Sequence, residues 1–177
     1  MSIQTFENIV EIPENVQLTL DGRKITVQGP KGTIVKDFTH TKLNITKDGN
    51  TLRLSIDNPR KTEAALVGTI NAHVKNMIKG ASQGWIYRMK IVFVHFPTSV
   101  KVVGKEVHIE NFVGERKARI AKIIGNIKIT IKQDDVVIEG IDIDEVSQTA
   151  ANIQNLARVH KKDLRKFLDG IYVYSKE

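Results

Sequence analysis

The chain of 177 residues contains no cysteine, which excludes disulfides, thiolate nucleophiles and cysteine-held zinc and leaves packing alone to hold the fold. Long apolar runs are missing too. The longest, Ile91 to Phe96, is broken by His95 and falls far short of the roughly 20 residues that span a bilayer, so no membrane partner is expected. Met1 to Val10 lacks the basic start and apolar stretch of a secretory signal, and a cytoplasmic location is expected. Aromatic residues make up 6% of the chain, and no strand shows the pattern with which single-strand RNA readers stack bases.

Signatures of catalysis are equally scarce. The histidines at 40, 73, 95, 108 and 160 include no pair three to five residues apart, so helical metal-ligand spacing is absent and no metal site is expected. No Gly-x-Ser-x-Gly elbow occurs, and the hydroxyls have no recognisable base beside them. Gly29-Pro30-Lys31-Gly32 lacks phosphate-loop spacing, and its proline removes an N–H such a cradle would use, so it reads as a tight turn between strands. Asp134 and Asp135 fall at a hairpin turn, where solvated acids are ordinary. The chain is therefore not expected to be an enzyme, to hold a cofactor or to act on a small-molecule substrate.

What the chain does have is ordinary core-forming content, 41% hydrophobic and 27% charged, and a net charge of +7 with a pI near 9.6. An excess of that sign points to an acidic partner, nucleic acid first.

Val16 to Leu20 and Lys24 to Gln28 alternate around Asp21-Gly22, a dipeptide suited to tight hairpin turns. Thr33 to Phe38 supplies a further strand, and Leu43 to Lys47 with Thr51 to Ile56 repeats the hairpin around Asp48-Gly49. The period then changes. Leu66, Val67, Ile70, Val74, Met77 and Ile78 recur at three and four residues, which lines one face of a helix that Gly80 is expected to end.

The second half runs through the same order. Strands are expected at Trp85 to Val94, Val100 to Val103, Val107 to Glu110, Ile127 to Lys132 and Val136 to Glu139. A long helix follows, with Val146, Ala150, Ile153, Ala157, Leu164 and Phe167 as its stripe, Asp144 as its cap and Gly170 as its stop. Two matches suggest an internal repeat: Met77 to Gly80 against Phe167 to Gly170, and the Asp21-Gly22 turn against Val103-Gly104-Lys105. The fold class is α+β, two tandem homologous domains, each an antiparallel-rich sheet on one long helix, over residues 1–80 and 81–177. A single mixed domain is the alternative.

Charge is shared evenly but clustered locally. Met1 to Gly84 holds 11 basic and 8 acidic residues, net +3, and Trp85 to Glu177 holds 16 and 12, net +4. Between residues 116 and 132, six cations, Arg116, Lys117, Arg119, Lys122, Lys128 and Lys132, stand with no acid among them, and six acids follow between Asp134 and Glu145. Basic character returns at Arg158, Lys161, Lys162, Arg165 and Lys166. Helix-end cations complementing a macrodipole would explain part of the last cluster. They do not explain Arg116 to Lys122, which reads as a loop aimed at phosphates.

Several stretches resemble one family. Ile12-Pro13-Glu14-Asn15-Val16, Gly29-Pro30-Lys31-Gly32-Thr33, Gly84-Trp85-Ile86-Tyr87-Arg88-Met89, His95-Phe96-Pro97, Asn111-Phe112-Val113-Gly114-Glu115-Arg116 and the run from Lys162 to Tyr172 closely resemble the universal large-subunit ribosomal protein six family, nine in the eukaryotic series, in its archaeal form. The resemblance implies a duplicated α+β fold and a structural place in the large ribosomal subunit. There it implies binding to large-subunit ribosomal RNA near the sarcin–ricin loop, at the base of the factor-binding stalk. It also implies neighbouring large-subunit proteins as partners and translational GTPases docking nearby, with most RNA contacts from the second half. Together with the charge pattern it marks as RNA-binding Arg88 and Lys90, then Asn111, Phe112, Gly114, Arg116, Lys117, Arg119 and Lys122, then Arg158, Lys161, Lys162, Arg165 and Lys166. Relatives commonly carry lysine where this chain has Arg116, a change that keeps the cation and alters its geometry. Two other readings stay open: an RNA-binding module outside the ribosome, and an adaptor that holds a basic protein through the acids from Asp134 to Glu145.

Overall fold

In the computed structural model, which describes residues 5–177, the chain divides into two compact units, one closing at Gly84 and the other running from Trp85 to Glu177. The fold is α+β in both.

The first unit holds strands β1 (Thr5–Glu11), β2 (Gln17–Asp21), β3 (Lys24–Gly29), β4 (Gly32–Asp37), β5 (Asn44–Asp48) and β6 (Thr51–Asp57), then helix α1 (Lys61–Ser82). They form two antiparallel sheets, β1-β6-β5 and β2-β3-β4. Both expected turns are present, with Gly22 and Gly49 at φ near +60°, the left-handed region where glycine has no Cβ to clash. Alternate residues of the strands, among them Ile25, Val27, Leu52 and Leu54, are fully buried with Val67, Val74 and Met77 of α1. Each such side chain contributes about 1.5–3 kcal/mol.

Helix α1 begins where the Glu63 carboxylate accepts the Arg60 backbone N–H at 2.9 Å. It does not stop at Gly80. It continues to Ser82, and the left-handed residue that follows is Gly84, at φ +84°. Gly80 is buried within the helix.

The second unit holds β7 (Trp85–Val92), β8 (Ser99–Val103), β9 (Glu106–Glu110), β10 (Arg119–Lys122), β11 (Lys128–Lys132) and β12 (Asp135–Gly140), then α2 (Ile143–Leu156) and β13 (Gly170–Lys176). Its sheets are β10-β9-β8 and β11-β12-β7-β13. Strand by strand this matches the first unit: β7 stands as β1, the β8 to β10 meander as β2 to β4, β12 and β11 as β6 and β5, and α2 as α1. Strand β13 is an addition, pairing antiparallel with the edge of β7 that β12 leaves free.

Several sequence expectations change here. Helix α2 ends at Leu156, so Leu164 and Phe167 are not on it, and Gly170 opens β13 instead of stopping a helix. The likeness of Met77 to Gly80 and Phe167 to Gly170 is therefore not a structural equivalence. The cap is Asp142, whose carboxylate accepts the Asp144 N–H at 2.9 Å. Strands β1, β10 and β13 were not expected, and β10 occupies part of the segment read as a loop. Beyond Leu156 the helix fails for local reasons. Lys161 is left-handed at φ +59°, and Asp163 makes its own turn, accepting the Arg165 N–H on its carboxylate and the Phe167 N–H on its carbonyl.

Candidate nucleic-acid interface

Strand β7 ends at Val92, yet the apolar run in the sequence continues through Phe96. The surplus residues form an exposed loop that packs against two others. Asn111, left-handed at φ 55°, donates its Nδ2–H to the Pro97 carbonyl at 3.0 Å. The Phe96 ring lies so close to Gly114, at φ +77°, that a Cβ there would meet three ring carbons at 3.2–3.3 Å. On the other side His95 stacks on Phe167, centroids 4.7 Å apart and 25° between planes, and Lys162 Nζ stands 4.7 Å from the Phe167 ring centre. Beneath them Asp169, 1% exposed, accepts the Val94 N–H at 3.1 Å and leaves Oδ2 3.8 Å from His95 Nδ1. Three segments far apart in sequence, 93–98, 111–118 and 157–169, thus make one surface.

Apart from Arg119, the cations expected to bind RNA divide into three groups. Arg116, Lys117, Arg158, Lys161, Lys162, Arg165 and Lys166 are exposed on this surface. Its exposed acids are Glu115, held by Arg119, and Asp163, 3.8 Å from Arg165. Lys122 is exposed on β10, with its carbonyl accepting the Asn152 Nδ2–H. Arg88 and Lys90 lie elsewhere, on the face of β7 turned away from the core. There Arg88 pairs with Glu177 and Lys90 with Asp135, each at 3.2 Å.

Two residues have a different role from the one expected. Phe112 is 1% exposed, inside the core, where an RNA base has no access to it. Arg119 is spent on the protein itself. Its Nε–H and Nη2–H donate to the two oxygens of Glu115 at 2.8 and 2.6 Å, and Nη1–H donates to the carbonyls of Leu156 at 2.6 Å and Arg158 at 3.0 Å. The guanidinium also stacks on Phe112, 4.5 Å from its centre. Arg119 therefore ties β10 to the end of α2, satisfying carbonyls that the helix leaves open. Gly114 and Asn111 likewise serve the surface by fixing the 93–98 loop.

Electrostatically, Arg119 holds the Glu115 carboxyl below the ordinary glutamate range through its hydrogen bonds, against a smaller opposing effect of burial. Three of the acids from Asp134 to Glu145, by contrast, have partners within the protein. Asp135 pairs with Lys90, Asp142 caps α2, and Glu145 accepts the Asn126 N–H at 3.2 Å. Among the described residues no three of His, Asp or Glu are grouped to hold a metal ion, and no helix is long and apolar enough to cross a membrane.

Sequence reasoning missed His95, Phe96 and Phe167 as surface-forming residues. The signal was an apolar run longer than its strand and closed by Pro97, which leaves aromatic side chains past the end of the sheet.

The family described as ribosomal protein L6 matches this chain twice, over residues 12–84 and 96–170. One match falls in each unit. The chain is 44% identical to large ribosomal subunit protein uL6 of Saccharolobus solfataricus, covering 100% of this chain and 98% of that one. It is 43% identical to the uL6 of Ignicoccus hospitalis, covering 96% and 94%, and 47% identical to that of Desulfurococcus amylolyticus, covering 94% and 92%.

Proposed function

The chain belongs to the ribosomal protein L6 family and is a structural component of the large ribosomal subunit, not an enzyme; from that premise we propose that it binds large-subunit ribosomal RNA through the surface formed by segments 93–98, 111–118 and 157–169. One observation carries the assignment. Seven exposed cations from sequence-distant segments converge there against two acids, each already facing an arginine. Long mobile cations of this kind contact phosphates, and each contact releases condensed counterions.

The RNA we assign is the sarcin–ricin region at the base of the factor-binding stalk, with neighbouring large-subunit proteins and docking translational GTPases close by. The resemblance in Asn111 to Arg116 and Lys162 to Tyr172 supports that placement, because those stretches supply the surface. The protein's part is to brace folded RNA.

A salt titration tests this. The protein is bound to a large-subunit RNA fragment containing the sarcin–ricin stem, with an unrelated structured RNA as control. Preferential binding with a steep salt slope is expected, and replacing Arg116 and Lys117 with alanine should lower the slope by about one phosphate contact per residue. Equal, weak binding to both RNAs, or an unchanged slope in the double variant, would sink the assignment.

A further inference from the structure

We propose that His95 and Phe96 form a stacking platform for an unpaired base of the bound RNA, an inference that rests on the RNA-binding reading above and adds to it a contact that is not a phosphate contact. The first observation is exposure where it costs most. Val94 and Phe96 are 58% and 43% exposed, the His95 side chain is 42% exposed, and Phe93 is exposed beside them. A contiguous apolar patch of that kind marks a contact surface.

The second observation is that the rings are fixed in place. The Phe96 ring packs against Gly114, His95 stacks on Phe167, and the loop between strands is held by the Asp169 carboxylate at Val94 and by Asn111 at Pro97. Because their positions are set in advance, little ordering entropy is lost when a flat ligand settles on them.

The third is the setting. Lys162 lies over the far ring of the stack, and Arg116, Lys117, Arg165 and Lys166 are exposed on the same surface, so the occupant is anionic and carries an aromatic face. A regular RNA duplex cannot offer one, since its bases are stacked on each other, whereas a base in a loop or bulge can. The scarcity of aromatics along the strands had argued against stacking. The rings that do it stand on a loop, three and four residues past the end of β7.

The experiment compares His95→Ala and Phe96→Ala with His95→Tyr and Phe96→Tyr, each checked for wild-type melting. The probes are deproteinised large-subunit ribosomal RNA and a fully paired duplex. For the ribosomal RNA, each alanine variant should lose about 5- to 100-fold in affinity with the salt slope intact, while the tyrosine variants, which keep a flat ring, should bind as wild type. Duplex binding should not change in any variant. Alanine variants that bind ribosomal RNA like wild type would overturn the platform while leaving the RNA-binding reading standing. A loss matched by a shallower salt slope would also overturn it, by showing a phosphate contact instead. Wild-type protein that fails to prefer ribosomal RNA would remove both readings together.

Discussion

Arg119 grips Glu115 with two parallel hydrogen bonds, 2.8 and 2.6 Å long, while the same guanidinium closes the end of α2 through the carbonyls of Leu156 and Arg158. A residue taken from sequence for an RNA-facing cation is the strut behind the proposed RNA-facing surface. Its removal would leave two carbonyls and a carboxylate without their donors.

Arg119→Ala should therefore destabilise the second unit by about 1–2 kcal/mol, since the part-buried Leu156 carbonyl loses a charged donor and the more exposed Glu115 and Arg158 acceptors add little. Lysine should not restore it, because an ammonium cannot span Glu115 and two carbonyls at once. Urea unfolding of both variants is the measurement, and a cost within about 0.5 kcal/mol of zero would show the strut to be ornamental.

Acid should weaken the same link. The Glu115 carboxyl is depressed in the folded protein chiefly by the Arg119 hydrogen bonds, so its stabilisation is present above the unfolded value of about 4.3 and is lost as pH falls through the lower folded value. A carboxyl titration followed by NMR should find Glu115 below its unfolded range, and Arg119→Ala should bring it back up. Glu115 is exposed enough for the energetic effect to be small.

In the first unit, Gly29→Ala should destabilise by about 1–3 kcal/mol. The added Cβ would lie 2.4 Å from the Ala81 carbonyl oxygen, and pushing the turn away would strain the Lys31 N–H bond to that same oxygen, now 3.0 Å. Thermal melting of the variant against wild type tests this, and an unchanged midpoint would contradict the close approach.

Phe112→Ala should cost about 3–5 kcal/mol of stability, because the ring is buried with Ile109, Val107 and Ile153 in one core. Where the variant remains folded, its affinity for ribosomal RNA should equal wild type, because a buried ring makes no base contact. A weaker affinity in the folded variant, with the salt slope unchanged, would restore Phe112 to the candidate interface.

Much of this architecture was readable from periodicity. The β2–β3 and β5–β6 hairpins announced themselves because alternation and an Asp-Gly turn agree, and α1 did because its apolar stripe is long. Strand β10 did not. Its four residues place only Ala121 in the core, leaving Ile120 exposed and two cations at the ends, so no alternation survives in the sequence. The overlong last helix has a similar cause. Ala157, Leu164 and Phe167 keep helical spacing by coincidence, while the features that break the helix, Lys161 in the left-handed region and the turn at Asp163, are single-residue events that periodicity averages away.

The candidate surface was half legible. Exposed cations could be found by counting charge, since solvated residues need no partner to be recognised. Arg119 could not be told from its neighbours, because its partners at 156 and 158 lie 37 and 39 residues on and only the fold brings them within reach. His95 and Phe96 were visible as part of a motif, but not as exposed rings, because their exposure depends on where β7 stops.

Strand β7 is the first strand of its unit and also an interior one, flanked by β12 and β13. Its contacts are far apart in the chain: Lys90 meets Asp135 across 45 residues, and Arg88 meets Glu177 across 89. During synthesis β7 therefore emerges early and waits with open backbone groups on both sides until strands made much later arrive, whereas the local hairpins of both units can form at once. Contacts so distant in sequence slow folding, and an unfilled strand edge invites pairing with other chains. The half that carries the candidate interface is thus the half with the longer exposure before it closes.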